Sequence, residues 1–177
     1  MGLVLIHGDM VERIPTITSI NGVEYNLTTA IQKLNNKISA LLNLKDKIKV
    51  KLFLSSSLKS VAPLMGLNQI SEYPVKLKES IEHLNSRSFG KLEYIYIDPS
   101  KEPDKEPLWK PYDLMQLQWP DLSDGKIPAG KGIIGLVMEY GKKVRKIPLL
   151  NVLRLPIIGT QYDLVDVDKL EDIVNNN

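Results

Sequence analysis

Ile48-Lys49-Val50-Lys51-Leu52-Phe53-Leu54 and, further along, Leu92-Glu93-Tyr94-Ile95-Tyr96-Ile97-Asp98-Pro99 decide the fold class of this chain. In the first, Ile48, Val50, Leu52 and Leu54 alternate with Lys47, Lys49, Lys51 and Phe53, the period-two pattern of a strand. One polar side is expected there, against solvent or at a sheet edge. The second is a run of aromatic and β-branched residues, a strand closed by Asp98-Pro99. Between them, Ser55 to Asn68 reads as a serine-rich loop holding Pro63 and Gly66. Pro74 suits the first turn of a helix, Leu77, Ile81 and Leu84 form its apolar stripe, and Gly90 stops it after Phe89. A β-loop-α-β unit of this kind predicts two parallel strands joined by a right-handed crossover.

Towards the N-terminus, Leu3 to Ile6 and Val11 to Ile14 are short β-prone runs joined by His7-Gly8-Asp9-Met10, a hairpin signal. Pro15 ends the second strand because it has no N–H to donate. Asn21-Gly22 marks another turn. A helix is predicted from about Asn26 or Thr28, with Leu27, Ile31, Leu34, Ile38 and Leu41 as its apolar stripe and Lys33 and Lys37 facing away. Towards the C-terminus, Ser100 to Pro107 is a charged connector. Tyr112 to Trp119 is read as a short helix ended by Pro120. Asp124-Gly125 and Pro128-Ala129-Gly130 form a loop, and Ile133 to Glu139 with Val144 to Ile147 form a hairpin around Tyr140-Gly141-Lys142. Asp166 or Asp168 caps a last helix with Leu170 and Ile173 on its buried side, and Asn175 to Asn177 fray.

The two ends share a motif. Gly2-Leu3-Val4-Leu5-Ile6-His7-Gly8-Asp9-Met10-Val11-Glu12-Arg13-Ile14-Pro15 aligns without a gap on Gly135-Leu136-Val137-Met138-Glu139-Tyr140-Gly141-Lys142-Lys143-Val144-Arg145-Lys146-Ile147-Pro148. Gly, Leu, Val, Gly, Val, Ile and Pro coincide. Tyr25-Asn26-Leu27 then corresponds to Tyr162-Asp163-Leu164, each read as a helix start. The expected organisation is therefore a closing β-β-α of a preceding repeat unit over residues 1–44, followed by one α/β unit over 45–177. Such a chain is expected to be a piece of a longer protein.

Composition narrows the chemistry. In 177 residues, 43% hydrophobic and 25% charged residues suit a globular domain with a core. A net charge of +2, with lysines scattered among acids, does not form a nucleic-acid groove. The chain holds no cysteine, which excludes disulfides, thiol nucleophiles and dithiol redox chemistry. No run approaches the roughly 20 apolar residues that cross a bilayer, and Met1 to Ile6 lacks the basic leader of a signal peptide.

Individual signals resemble sites without completing one. Gly130-Lys131-Gly132-Ile133-Ile134-Gly135 matches the G-x-G-x-x-G dinucleotide fingerprint, but it leads into a strand where a pyrophosphate site needs a helix N-terminus. It reads as a flexible entry to the hairpin. His7, in the hairpin turn, and His83, on a helix face with Glu79, Glu82 and Arg87, are the only histidines. A hydrolase would need one of them beside an acid and within reach of Ser55-Ser56-Ser57, which lacks a nucleophile elbow. Asp98, Glu102, Asp104 and Glu106 are interleaved with Lys101 and Lys105 and lack cation-loop spacing. Asn26-Leu27-Thr28 fits a glycosylation sequon at a helix start. Trp109, Tyr112 and Trp119, in a proline-flanked stretch, either anchor a partner or staple the connector to the core. No catalytic residue, cofactor or metal ligand is assigned.

The order from Leu27-Thr28 through Ile38, the strand Ile48 to Leu54, the helix to Arg87, Gly90 to Pro99, Gly135-Leu136-Val137-Met138-Glu139-Tyr140-Gly141 and Ile147-Pro148 resembles the extracytoplasmic region of gliding-motility-type auxiliary proteins of ABC transporters. The resemblance implies a membrane-anchored accessory subunit beside a permease and an ATPase, its soluble part periplasmic and its membrane contact outside this chain. The β-α-β then β-β-α order is also that of a thioredoxin-like α/β module on a mixed sheet, and the extra N-terminal hairpin and helix depart from the family's pattern. The expected role is non-catalytic binding or scaffolding. The alternatives are a degenerate hydrolase or nucleotide-binding domain, and a self-assembly unit that dimerises through the N-terminal hairpin.

Overall fold

The structure, a computed structural model, describes residues 3–7, 10–14, 23–122, 124–155, 159–167 and 169. The turn residues Gly8 and Asp9, Pro15, Asn21-Gly22 and the last helix's Leu170 and Ile173 lie outside these, as do Asn175 to Asn177. The fold is mixed α/β. β1 (Leu3–His7) and β2 (Met10–Ile14) form a hairpin followed by α1 (Val23–Leu42), which starts earlier than the sequence predicts. Then come β3 (Ile48–Leu54), three 3-10 turns over Ser56–Ser60, Ala62–Met65 and Asn68–Ser71, α2 (Tyr73–Arg87) and β4 (Leu92–Ile97). Two further 3-10 turns, Pro103–Leu108 and Lys110–Tyr112, lead to β5 (Met115–Trp119), β6 (Gly130–Tyr140), β7 (Lys143–Ile147), β8 (Leu150–Leu155) and β9 (Gly159–Leu164).

The main sheet runs β4-β3-β6-β5, with β7 also paired to β6. β3 and β4 are parallel, as the β-α-β reading requires, with Ile48 opposite Leu92 and Phe53 opposite Ile97. The other pairs are antiparallel. β6 is long enough to serve two neighbours along one edge, β5 at Gly130–Ile134 and β7 at Leu136–Tyr140.

Four sequence expectations are corrected. β3 is central, with β4 on one side and β6 on the other, and Phe53 on its lysine-bearing side is fully buried. Met115–Trp119 is a strand: Met115, Leu117 and Trp119 alternate with glutamines, a period of two that suits pairing to β6. Gly130 to Gly135 is part of β6, and its glycines make room for neighbouring side chains. A Cβ on Gly130 would lie 2.6 Å from the Trp119 ring, and one on Gly132 would lie 2.5 Å from Leu58 Cγ. Finally, Tyr162-Asp163-Leu164 lies in β9, where the aligned Tyr25-Asn26-Leu27 is helical.

The sheet buries both faces. On one, Val50, Leu52 and Leu54 of β3 and Ile134 and Leu136 of β6 meet Leu77, Ile81 and Leu84 of α2, together with Leu58, Val61 and Ile70 of the 3-10 turns. On the other, Phe53 and Val137 are covered by Trp109 with Ile97, Tyr112, Leu114 and Ile133 around them. The β8–β9 hairpin joins the first layer through Leu149, Leu150, Tyr162 and Leu164. Tyr73, at the start of α2, donates its hydroxyl hydrogen to the Val165 carbonyl at 2.9 Å. Because Leu58 is 1% exposed, it has no open space to yield to a new methyl. Gly132→Ala is therefore expected to cost about 1–3 kcal/mol by overpacking. Gly135→Ala, whose nearest neighbour is the half-buried Leu114 at 2.9 Å, should cost less. Paired urea titrations of the two variants check the order.

Candidate functional site

Among the described residues, two concavities beside the main sheet gather the polar groups. The first lies at the carboxyl ends of the parallel strands β3 and β4, where open α/β sheets characteristically hold ligands. Chain reversal there places Ser55 and Ser57 directly after β3 and Asp98 and Ser100 directly after β4. The cleft, of about 490 Å³, is lined by Ser55, Ser57, Pro99, Ser100, Trp109, Lys110, Asp113, Lys131 and Ile133 among others.

Its polar groups are largely engaged in holding the loops. Ser55 Oγ accepts the Ile133 N–H at 2.9 Å, and the Ser55 N–H reaches the Ile133 carbonyl at 2.9 Å, which extends the β3–β6 pairing by one residue. Ser57 Oγ donates to the Lys131 carbonyl at 2.8 Å and accepts from Ser100 Oγ at 2.8 Å. Asp98 is 7% exposed. Its Oδ1 accepts the N–H groups of Ser56 at 2.9 Å and Ser100 at 3.1 Å, tying the two loops together. Its Oδ2 has no hydrogen bond and faces the Lys101 ammonium at 3.9 Å. The carboxylate is thus a cross-link between the two strand ends, compensated by amide dipoles and one cation.

The second concavity is an open groove of about 1230 Å³ between α2 and the β7 and β8–β9 segments. α2 contributes Lys76, Glu79 and His83, β7 contributes Arg145 and Lys146, and Asn151 and Asp163 come from the C-terminal hairpin. The floor includes Tyr73 and Ile147, both buried. Burial pushes the Tyr73 hydroxyl well above the usual phenol range, and the charge of Asp166 adds to it. It stays a neutral donor.

Comparison with protein-family profiles, characterised proteins and solved structures gives no match.

The residues singled out by sequence fall in different places. His83 lines the α2 groove, while Ser55 and Ser57 line the cleft at the strand ends. His7 is exposed at the end of β1. Glu102 pairs with Lys105 at 2.9 Å and Glu106 with Lys110 at 3.4 Å, and Asp104 is exposed. Among the described residues no group of three or more His, Cys, Asp or Glu is arranged to hold a metal. Asn26 is exposed in the first turn of α1. Trp109 is buried against Phe53 and Val137. Tyr112 is half-buried with its ring 5.6 Å from that of Phe53. Trp119 is half-buried on β5 and donates Nε1–H to the Pro128 carbonyl at 3.0 Å.

One polar cluster has no counterpart in the sequence reading. On the Phe53 side of the sheet, the Lys51 ammonium contacts Glu139, and the Tyr112 hydroxyl hydrogen-bonds to the same carboxylate. Lys51 and Glu139 lie on adjacent strands, which the register makes neighbours, whereas Tyr112 arrives from the connector. Only a correct pairing of β3 with β6 would have brought it into view.

Proposed function

We propose that the chain is a non-catalytic binding and scaffolding module, of thioredoxin-like architecture, in the extracytoplasmic part of an ABC transport system's auxiliary subunit. The strand order β4-β3-β6-β7, parallel in its β-α-β half and antiparallel in its β-β half, supports the architectural part of this reading. The transport context rests on the sequence resemblance. The observation that carries the binding role is the α2 groove: wide, open and lined by charges of both signs on a buried apolar floor. Such a surface suits a polar segment of another protein better than a small substrate, which favours an enclosed apolar pocket. At the other concavity, Ser55, Ser57 and Asp98 are engaged in backbone cross-links, an arrangement that favours support over nucleophilic chemistry.

The test is co-purification of the tagged full-length protein with its permease and ATPase after detergent extraction. A charge reversal in the groove, Arg145→Glu with Lys76→Glu, is expected to lower recovery of the permease at least tenfold while the circular dichroism stays unchanged. Undiminished recovery removes the groove from the interface. If instead the purified chain hydrolyses an ester or nucleotide panel and Ser57→Ala abolishes this, the enzymatic reading replaces the binding one.

A further inference from the structure

The β1–β2 and β6–β7 hairpins are built to one register. Leu3 faces Ile14 as Leu136 faces Ile147, and His7 faces Met10 as Tyr140 faces Lys143. Ile14 and Ile147 are both buried, at 5% and 4% exposure. The hairpins differ at one edge. β6 carries β3 antiparallel along it, with Lys51 opposite Val137 and Lys49 opposite Glu139. β1, its counterpart, pairs with β2 alone among the described residues. A two-stranded ribbon is marginal in water, and an uncovered edge of apolar residues is a template for another strand.

We propose that this edge is filled by β1 of a second copy of the chain, in a four-stranded β2-β1-β1-β2 sheet about a two-fold axis at Leu5. The counterpart edge on β6 accepts an antiparallel strand, and two-fold pairing of β1 with itself is necessarily antiparallel. In this register Leu5 faces its own counterpart and Val4 faces Ile6. These two residues lie on the outer side of the hairpin, 53% and 69% exposed, and become β-branched cross-strand pairs. Charge allows the contact: Leu3–His7 holds no Asp, Glu, Lys or Arg, while Glu12 and Arg13 sit on β2, away from the seam. Dimensions agree as well. α1 covers the inner side of the hairpin, where Lys37 reaches Glu12 at 3.0 Å. Two strands at roughly 4.8 Å spacing are about as wide as one helix, so four strands carry two copies of α1 side by side on the same face.

Light scattering of the unaltered chain should give twice the 20.0 kDa of one copy. Val4→Lys with Ile6→Lys sets lysines against lysines across the seam and should yield the single-copy mass. Val4→Glu with Ile6→Lys sets each lysine against a glutamate and should restore the doubled mass. A sticky apolar surface without this register would respond to both variants alike, and that result overturns the proposal, as does a single-copy mass for the unaltered chain. Should the charged variants unfold, Leu5→Cys decides. The chain has no cysteine of its own, and facing residues in an antiparallel pair are close enough for a disulfide. Mild oxidation should link Leu5→Cys chains into dimers and leave Val11→Cys chains unlinked; equal linking of the two, or linking of neither, overturns the register.

Discussion

Phe53→Ala is expected to lower the unfolding free energy by about 3–5 kcal/mol, the usual cost of deleting a buried aromatic ring. For a domain with a total stability of roughly 5–15 kcal/mol this is a large fraction. The ring is fully buried on the sheet face opposite α2. Trp109, Val137 and Tyr112 enclose it, so the site has little freedom to collapse around a cavity. The connector that carries Trp109 and Tyr112 has no other buried residue in its two 3-10 turns. Loss of the ring should therefore loosen this segment as well as lower global stability. With Trp109 beside the cavity and Trp119 half-buried on β5 as the only two tryptophans, a red shift of native-state fluorescence should accompany the drop in urea midpoint. Phe53→Leu, which keeps most of the volume, should cost less than half as much. A Phe53→Ala cost below about 1 kcal/mol would mean that the connector does not cover this face in solution.

The same residue shows how far the sequence can be read. Alternation in Ile48 to Leu54 assigns Phe53 correctly to the side that bears Lys49 and Lys51. It does not tell what lies on that side, because Trp109 and Tyr112 come from a distant segment that follows β4 in the chain. Parallel pairing of β3 with β4, and the hairpin of β6 with β7, were legible because turn residues and apolar periods sit inside each segment. Met115–Trp119 carries the period of two of a strand, but five residues ahead of Pro120 also suit a short helix that the proline would end, and only pairing with β6 separates the two. Tyr162-Asp163-Leu164 and Tyr25-Asn26-Leu27 share a local sequence that does not distinguish helix from strand, and the likeness of the two ends stops at the hairpin. The polar clefts were legible only in part. Ser55, Asp98 and His83 stood out by type, but their assignment to two separate concavities depends on the crossover and on the C-terminal hairpin.

Removing one member of the Lys51–Glu139 pair should cost about 1–3 kcal/mol, whereas replacing both by apolar residues should cost little. The two side chains are 19% and 17% exposed, so a survivor left alone loses its counter-charge without regaining full hydration. Tyr112 makes the effect asymmetric. Its hydroxyl donates to Glu139 and accepts from the Lys51 ammonium at 3.4 Å. Lys51→Met leaves Glu139 one donor, while Glu139→Leu leaves Lys51 only a phenol oxygen and should be the more costly change. A double-mutant cycle with Lys51→Met and Glu139→Leu measures the coupling, expected at about 2–3 kcal/mol because the double change costs little while each single change does not. The pH dependence has a definite sign. Burial alone would raise the Glu139 pKa, but hydrogen bonds from Lys51 and Tyr112, with the charges of Lys51 and Lys49, outweigh it and hold the carboxyl below its usual range. Its contribution is thus complete above the unfolded-state carboxylate pKa and is lost as pH falls through the lower native value. Burial likewise would lower the Lys51 pKa, yet Glu139 and Tyr112 hold it above the usual ammonium range. That contribution is complete below the unfolded-state lysine pKa and is lost as pH rises through the native one. Glu139→Gln should therefore flatten both the acid limb of the stability profile and the strongly alkaline one, measured as urea midpoint against pH. If the profile keeps its slope on both limbs after this substitution, the pair is not formed in the folded protein.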